Sequence, residues 1–247
     1  MSASLYLIPV TIAETDIDRV LPAYNRYVIL QIKHFIIENE RTARRFLKKV
    51  DPSISIEGLH FYVLNRHTSK EELSGFLRPI ENGEHVGLLS EAGCPTIADP
   101  GADIVAIAQK KSIPIVALVG PCSILLALMA SGLNGQCFAF HGYLPIEKEV
   151  RIKKLKQLEQ SICKEYQTQI FMETPYRNNR LLDDILNTCL PSTILCIAAD
   201  VTGESEYIKT RNIASWKRHK PDLSKRPCLF LLGMNKGPKY SQYHISN

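Results

Sequence analysis

The chain has 247 residues, of which 45% are hydrophobic and 22% are charged. This length and composition indicate a globular protein with one large or two medium-sized domains, and they exclude a disordered or collagen-like chain. The excess of 30 Lys and Arg over 25 Asp and Glu gives a charge of +5, too small by itself to indicate a nucleic-acid partner. The seven Cys residues form no C-x-x-C pair and no Cys/His cluster at metal-ligand spacing. The start of the chain also lacks the basic segment of a signal peptide, so we expect free thiols, a cytoplasmic location and no metal site.

One uncharged segment, from Ser112 to Phe140, is long enough to cross a membrane. Proline and glycine residues divide it into pieces shorter than about 18 residues, the usual length of a span. The segment therefore predicts a buried strand over Ile113–Val119, a turn at Gly120-Pro121 and a buried helix over Ser123–Ser131. We expect no membrane partner.

The first half of the chain alternates short apolar runs with helical patterns. Strands are predicted at Leu5–Pro9, Leu59–Leu64 and Val86–Leu89, and the run Tyr27–Ile37 is mostly apolar and β-branched. Helices are predicted at Arg41–Lys49, after Ser69 with a capping box to Glu72, and at Ala102–Lys111. Such alternation is typical of an α/β fold with a mainly parallel, buried sheet.

The second half continues the α/β pattern. Strands are predicted at Phe138–Tyr143, Ile170–Glu173, Thr193–Ala199, Tyr207–Ile208 and Cys228–Leu232. A long amphipathic helix precedes the second of them, and Val150, Leu155, Leu158 and Ile162 are predicted to form its buried face. We predict two α/β domains with mainly parallel or mixed sheets, spanning residues 1–118 and 119–247.

Two loops have the composition of a ligand site. The loop Leu89–Gly101 follows a buried strand, where α/β proteins bind their ligands, and its small residues let a flat ligand reach the backbone. Within it, Asp99 either caps the helix that starts at Ala102 or faces the ligand. The loop Val119–Ser123 is either a second ligand loop or a simple β-turn. Neither matches a phosphate-binding loop or a dinucleotide fingerprint, which leaves nucleotide hydrolysis and a Rossmann site without support.

These loops carry a family resemblance. The segment Ser90–Gly101, which reads SEAGCPTIADPG, resembles the S-D-A-G-T-P-x-I-x-D-P-G signature of the tetrapyrrole methylase-like S-adenosylmethionine (SAM) methyltransferases. It is most similar to the branch that methylates a cytidine 2′-hydroxyl of small-subunit ribosomal RNA. Further family motifs are matched, in the same order, by Gly120–Ser123, Ala130–Leu133, His141–Pro145 and Phe171–Arg177. The segment Glu38–Thr42 partly matches another motif, E-D-T-R.

The resemblance implies a cofactor cleft between two α/β domains, a homodimer, and ribosomal RNA as the partner. By position in the family motifs, the cofactor-binding residues are expected to be Ala92, Gly93, Cys94, Pro95, Pro121, Cys122, Ser123 and Met172. The chain departs from the family at Pro9–Asp16, which lacks a Gly-Asn pair, and at Asn39 and Glu40 in the E-D-T-R element. It also departs at Ala199–Gly203, where the ribosomal branch has R-E-[IL]-T-K.

Methyl transfer to a hydroxyl or amine requires a group that takes up the proton. Glu91 is the first candidate and Glu38 the second, with Arg41 as an orienting or phosphate-contacting cation. Asp99, Glu173 and Arg177 are further candidates on loops that match the family. Each carboxylate has an alternative interpretation as a helix cap or as an arginine partner.

Basic residues are concentrated in three clusters, which favours contact with a phosphate backbone. The clusters contain Arg41, Arg44, Arg45, Lys48 and Lys49; Lys148, Arg151, Lys153, Lys154 and Lys156; and Lys217, Arg218, Lys220, Lys225 and Arg226. Each could instead be a solvated helix face. Two other functions stay open: SAM-dependent methylation of a tetrapyrrole-like small molecule, and binding of SAM or RNA without catalysis.

Overall fold

The computed structural model describes residues 3–65 and 68–234. These residues form two compact units that divide after Cys122. The sequence predicts the boundary four residues earlier, after residue 118. Each unit has its own sheet and its own hydrophobic core.

The first unit contains a five-stranded sheet in the order β3-β2-β4-β1-β5. Its strands are β1 (Leu5–Ile8), β2 (His34–Ile37), β3 (His60–Val63), β4 (Val86–Leu89) and β5 (Ile115–Ala117). Its helices are α1 (Ala23–Ile29), α2 (Glu40–Val50), α3 (Lys70–Gly75), α4 (Arg78–Glu81) and α5 (Ala102–Lys110). All of the strand pairs in this sheet are parallel, so every strand ends at the same edge.

Both faces of the first sheet are buried. Side chains alternate along a strand, so Ile8 of β1 packs into the core on one face while Leu5 packs into the core on the other. Burial on both faces explains why these strands read as continuous apolar runs rather than as alternating patterns.

Local side-chain bonds fix where the helices start. The predicted capping box is confirmed: the Ser69 backbone N–H donates to Glu72 Oε2 at 2.8 Å, and the Glu72 N–H donates to Ser69 Oγ at 3.3 Å. Asn39 caps α2, because its Oδ1 accepts hydrogen bonds from two backbone N–H groups in the first turn. The apolar run Tyr27–Ile37 is divided between two elements, since α1 extends to Ile29 and β2 begins at His34.

The second unit contains a mixed five-stranded sheet in the order β6-β7-β10-β8-β9. Its strands are β6 (Phe138–Tyr143), β7 (Thr168–Glu173), β8 (Ile194–Ala199), β9 (Tyr207–Asn212) and β10 (Cys228–Gly233). Its helices are α6 (Ser123–Ser131), α7 (Lys148–Glu165), α8 (Asn178–Thr188) and α9 (Ile213–Arg218). The β6–β7 pair is parallel, and the pairs of β10 with β7, β10 with β8 and β8 with β9 are antiparallel.

The uncharged segment forms a strand and a helix, as its proline and glycine residues predict. It contains β5 and the nine-residue helix α6. Across the described ranges, no helix has both the length and the apolar character that a transmembrane span requires.

The predicted buried face of α7 is wrong at its first position. Val150 is 42% exposed, whereas Arg151 is only 3% exposed and lies in line with Leu155, Leu158 and Ile162. Arg151 Nε and Nη2 donate to Asp184 Oδ2 at 2.9 and 2.6 Å, and Nη1 donates to the carbonyl oxygens of Pro145 and Ile146. An ion pair therefore occupies the position expected for valine, and Arg151 is not part of the exposed basic cluster on α7.

Candidate functional site

The candidate site lies at the edge of the first sheet where its parallel strands end. The strands β2, β4, β1 and β5 are neighbours in that order, so the loops that follow them are brought side by side. Ligands bind at this edge in open parallel sheets. The loop after β4 contains the segment that resembles the family signature, and the loop after β5 contains Gly120–Cys122.

The loop after β4 is held against the end of β1 by backbone bonds. The Val10 N–H donates to the Gly93 carbonyl at 2.9 Å, and the Ser90 hydroxyl donates to the same carbonyl at 2.6 Å. Gly93 has φ of +74°, a conformation that residues with a side chain rarely adopt. A Cβ atom there would lie 3.2 Å from the Pro121 carbonyl oxygen, so both the backbone conformation and the space favour glycine.

The loop after β5 packs equally closely against its neighbours. A Cβ atom on Gly120 would lie 2.2 Å from Cγ of Pro9, which only glycine avoids. The Cys94 thiol lies 3.4 Å from the Pro121 carbonyl oxygen. The structure therefore brings together Gly93, Cys94, Pro121 and Cys122 from the set of expected cofactor-binding residues.

The expected cofactor-binding residues are distributed along both units. Ala92 is exposed and Pro95 is buried in the loop after β4, and Cys122 is half-buried at the end of the first unit. Ser123 is the first residue of α6, and Met172 lies on β7 opposite Leu229 of β10, so both belong to the second unit. The cofactor cleft between the two halves stays a prediction.

Acidic side chains gather beside these loops. Glu38 directly follows β2, and Glu91 and Asp99 belong to the loop after β4. The Thr42 hydroxyl donates to Glu91 Oε1 at 2.6 Å, which ties the loop after β4 to the first turn of α2. The structure thus joins Glu38 and Glu91, the two predicted proton acceptors, with Asp99 in one group.

The environment of this group favours protonation near neutral pH. Burial is the largest influence on Glu38, and hydrogen bonding with Asp99 and the charges of Asp99 and Glu91 add to it, which raises the pKa of Glu38 to about 7. Burial also raises the pKa of Asp99, although hydrogen bonds from Glu38 and from the Glu91 backbone oppose this shift. One oxygen of each side chain, Glu38 Oε1 and Asp99 Oδ2, is buried without a hydrogen-bond partner. Such a group can take up or release a proton at physiological pH.

Asp99 does not cap α5. The residue before this helix is Gly101, which has φ of +119° and provides no side-chain cap. The interpretation of Asp99 as a helix cap is therefore wrong, and its carboxyl group belongs to the acidic group around Glu38.

The remaining candidate site residues, Arg41, Glu173 and Arg177, lie outside the acidic group. Arg41 lies exposed on α2, and among the described residues its guanidinium forms no hydrogen bond or ion pair, so it is free to contact a ligand. Glu173 is 5% exposed, and its Oε1 accepts hydrogen bonds from Arg177 Nη2 at 2.6 Å and from the Thr174 backbone at 2.6 Å. This pair matches the alternative interpretation of Glu173 as an arginine partner. Within residues 3–65 and 68–234, no three His, Cys, Asp or Glu side chains are arranged to hold a metal ion.

Comparisons with solved structures identify the fold. The chain superposes on the methyltransferase CobJ with a TM-score of 0.63 at 14% sequence identity, covering 94% of this chain and 95% of CobJ. It superposes on a uroporphyrin-III C-methyl transferase from Thermus thermophilus, solved with S-adenyl homocysteine, with a TM-score of 0.56 at 16% identity over 94% and 97% of the two chains. The chain has the tetrapyrrole methylase-like fold.

Sequence comparisons agree with the motifs. The chain is 35% identical to ribosomal RNA small subunit methyltransferase I of Buchnera aphidicola (subsp. Schizaphis graminum) over 62% of this chain and 53% of that protein. It is 30% identical to the enzyme of the same name from Pasteurella multocida, over 70% and 61% of the two chains. The chain thus spans less than two thirds of the length of these relatives. No protein-family profile matches it. The resemblance predicted from the signature loop is confirmed.

Sequence reasoning missed two residues of this chain that hold other side chains in place. Thr42 was not a candidate, although its hydroxyl holds Glu91. Its signal was its place in the segment Glu38–Thr42, which partly matches the E-D-T-R element of the family. Asp184, the partner of the buried Arg151, was also missed; it lies between apolar residues on the buried face of α8.

Proposed function

We propose that the chain is a SAM-dependent methyltransferase that methylates a ribose 2′-hydroxyl of small-subunit ribosomal RNA. The observation that carries the proposal is the acidic group around Glu38, which lies beside the signature loop and contains a carboxyl group with a pKa of about 7. Two further findings support it. The sequence relatives are named as ribosomal RNA methyltransferases, and one neighbour with this fold was solved with S-adenyl homocysteine.

The loops after β4 and β5 suit SAM as a ligand. Gly93 and Pro121 are buried against each other, and because Gly93 has no side chain, a flat ligand can lie between the loops once they separate. Ile97 is 49% exposed and Val119 is 72% exposed, so each loop also offers an apolar side chain to a nucleoside. We therefore assign SAM to Ala92–Pro95 and Pro121–Cys122, and the family motifs add Ser123 and Met172 as further proposed contacts. SAM supplies an electrophilic methyl group on a sulfonium, a leaving group that needs no further activation.

The protein's part in the reaction is to position the acceptor hydroxyl and to take up its proton. The raised pKa of Glu38 supports it as the proton acceptor, because a base works best when its pKa is near the working pH. Glu91, which the sequence favours, is held by Thr42 and would orient the hydroxyl or hold the acceptor ribose.

Exposed basic residues support an RNA acceptor. On α2, Arg41 and Arg45 are exposed. On α7, Lys148, Lys153 and Lys156 are exposed around the helix, while Arg151 is buried. Exposed Lys and Arg along helices are the usual contacts to phosphates, and they fix the position of the RNA without reading its sequence.

A homodimer in the cytoplasm completes the proposal. Leu125 and Met129 lie one turn apart on α6 and are 49% and 79% exposed. Apolar side chains so exposed on one helix suit burial against a second copy of the chain. Light scattering should give the mass of two chains, and a particle of monomer mass at all concentrations would contradict this. A ribosomal acceptor agrees with a cytoplasmic location.

The test is transfer from labelled SAM to unmodified small-subunit RNA made by transcription. We expect one methyl group per RNA, located on a ribose by digestion and mass spectrometry. Glu38→Gln should slow transfer at least about 10-fold while SAM and RNA still bind, because a group that transfers a proton contributes about 10²–10⁴-fold to a rate. The matched control is Glu57→Gln, which changes an exposed carboxylate and should leave the rate unchanged.

Other outcomes contradict the proposal in distinguishable ways. Methyl transfer to a tetrapyrrole but not to RNA would assign a small-molecule acceptor. Tight binding of SAM and RNA without transfer would assign a binding protein. Failure to bind SAM would refute the cofactor assignment.

A further inference from the structure

The two candidate cofactor loops each carry a cysteine, and these cysteines face each other. Cys94 Sγ lies 3.4 Å from the Pro121 carbonyl oxygen and 3.9 Å from that of Gly120. The Pro121 carbonyl belongs to the peptide bond that leads into Cys122, which places its oxygen about 2.8 Å from Cα of Cys122. Cys94 Sγ is therefore at most about 6 Å from that Cα atom, near enough for the two cysteine side chains to approach each other.

The two thiols also interact directly. Burial raises the pKa of the Cys94 thiol, and the charge of Cys122 and a hydrogen bond with it add to this effect. Both side chains are half-buried, so a small oxidant can reach them. Of the other described cysteines, Cys137 is also half-buried but contacts Gln167, whose Nε2 lies 3.8 Å from its Sγ. Cys189, Cys196 and Cys228 are buried, and Cys163 is exposed on α7.

We propose that Cys94 and Cys122 form a reversible disulfide on exposure to a peroxide, and that this bond closes the loops after β4 and β5 to their ligand. The part that concerns SAM rests on the proposed function, whereas the disulfide itself does not.

The chemistry balances with hydrogen peroxide as the oxidant. The Cys122 thiolate attacks one peroxide oxygen, an S–O bond forms, the O–O bond breaks, and hydroxide leaves and is protonated to water. Cys94 then attacks the sulfur of the resulting sulfenic acid, an S–S bond forms, the S–O bond breaks, and a second water leaves. Two thiols are oxidised by two electrons, and the peroxide is reduced to two waters. Cys122 takes the first step because burial opposes ionisation of Cys94.

The effect on ligand binding follows from the lack of space. A Cβ atom at Gly93 would already be 3.2 Å from the Pro121 carbonyl, so the loops almost touch beside the cysteines. A disulfide fixes the two sulfurs at about 2.05 Å and holds the loops in that closed arrangement. The backbone of Gly93 and Pro121, which is buried between the loops, would then stay covered where the cofactor is proposed to bind.

The experiment treats the reduced chain of 247 residues with hydrogen peroxide and then maps its peptides by mass spectrometry without reduction. We expect a linked pair of peptides containing Cys94 and Cys122, lighter by two hydrogen atoms and separated again by dithiothreitol. Calorimetry on the same samples should show that SAM affinity falls at least 10-fold on oxidation and returns on reduction.

Two variants make the result specific. In Cys94→Ser, whatever its starting affinity, SAM binding should no longer respond to a brief peroxide treatment that is reversed by dithiothreitol. Cys163→Ser, which removes an exposed thiol on α7, should behave as the parent chain does.

The outcomes separate the two proposals. Absence of the linked peptides after oxidation overturns the disulfide, whatever SAM does. A linked chain that binds SAM as tightly as the reduced chain overturns the closure of the loops. Failure of the reduced chain to bind SAM refutes the proposed function, while the peptide map still decides whether the disulfide forms.

Discussion

Arg151 offers the sharpest test of the difference between the sequence pattern and the structure. The sequence places it among basic residues that contact RNA, whereas the structure buries its guanidinium against Asp184. The side chains of this pair are 4% and 8% exposed. Replacing Arg151 by Met should therefore destabilise the second unit and leave RNA binding by the folded protein unchanged.

The expected loss in the free energy of unfolding follows from the buried charge that the substitution leaves without a partner. Arg151→Met leaves the Asp184 carboxylate buried without its two charge-assisted hydrogen bonds, which were 2.6 and 2.9 Å long. Removing one member of a buried ion pair costs about 3–5 kcal/mol. With a urea m-value of about 2 kcal/mol per M, the unfolding midpoint should fall by about 1.5–2.5 M.

The assay is urea unfolding followed by tryptophan fluorescence. Trp216 is the single tryptophan of the chain and is fully buried in the core of the second unit, so its signal reports that unit. The double variant Arg151→Met with Asp184→Leu removes both charges and should recover most of the lost stability, because an apolar pair of similar volume often replaces a buried ion pair at little cost. Lys153→Met on the same helix changes an exposed residue and should shift stability by no more than about 0.5 kcal/mol.

The reasoning would be refuted if Arg151→Met reduced the free energy of unfolding by less than about 1 kcal/mol, since breaking a buried ion pair costs more than that. It would also be refuted if the folded variant bound RNA with a smaller salt dependence, because that would mean that Arg151 contacts a phosphate.

The remaining predictions concern the ligands and pH. Transfer should rise with pH through about 7 as Glu38 loses its proton, and this step should vanish in Glu38→Gln when rates are measured across that range. The same raised pKa predicts that folding stability attributable to Glu38 falls as pH rises from 4.5 toward 7, because the folded state holds this proton more tightly than the unfolded state. Gly93→Leu should abolish measurable SAM binding in calorimetry, with circular dichroism as the check on folding; unchanged affinity in a folded variant would place SAM elsewhere. Changing Lys153, Lys154 and Lys156 to Ala should lower the log–log salt slope of RNA binding by about 0.7–0.9 for each phosphate that the variant no longer neutralises, and an unchanged slope would exclude this face of α7.

Much of the fold could be predicted because hydrophobic period and turn residues act locally. The bounds of α6, Ser123–Ser131, match the prediction, since a proline before the helix and a glycine after it mark both ends. Whether neighbouring strands of the second unit are parallel or antiparallel could not be predicted from the hydrophobic period and the turn residues. A strand buried on both faces, such as β8, has the same apolar composition whether its neighbours are parallel or antiparallel.

Arg151 shows a second limit of the pattern. Counting only apolar residues selects Val150 for the buried face of α7, five residues before Leu155. The spacing of four residues from Arg151 to Leu155 fits a helix better, and the signal was overlooked because a charged residue is seldom buried without a partner. The partner, Asp184, lies 33 residues away along the chain, so no local rule points to it.

The acidic group around Glu38 was beyond sequence reasoning for the same reason, yet its surroundings say the most about function. Stability alone favours pairing a buried carboxylate with a cation. The structure does this for its most buried acids, which form the pairs Asp51–Arg26, Glu173–Arg177 and Asp184–Arg151.

The acidic group is arranged differently. Among the ion pairs of the described residues, none includes Glu38, Glu91 or Asp99, although all three adjoin the loop after β4. Burial is the main cause that keeps the pKa of Glu38 near 7, and the hydrogen bond with Asp99 and repulsion from the neighbouring ionised carboxyl groups add to it. An arrangement that opposes stability but holds an exchangeable proton at a ligand-binding edge is expected of a site that accepts a proton from its substrate.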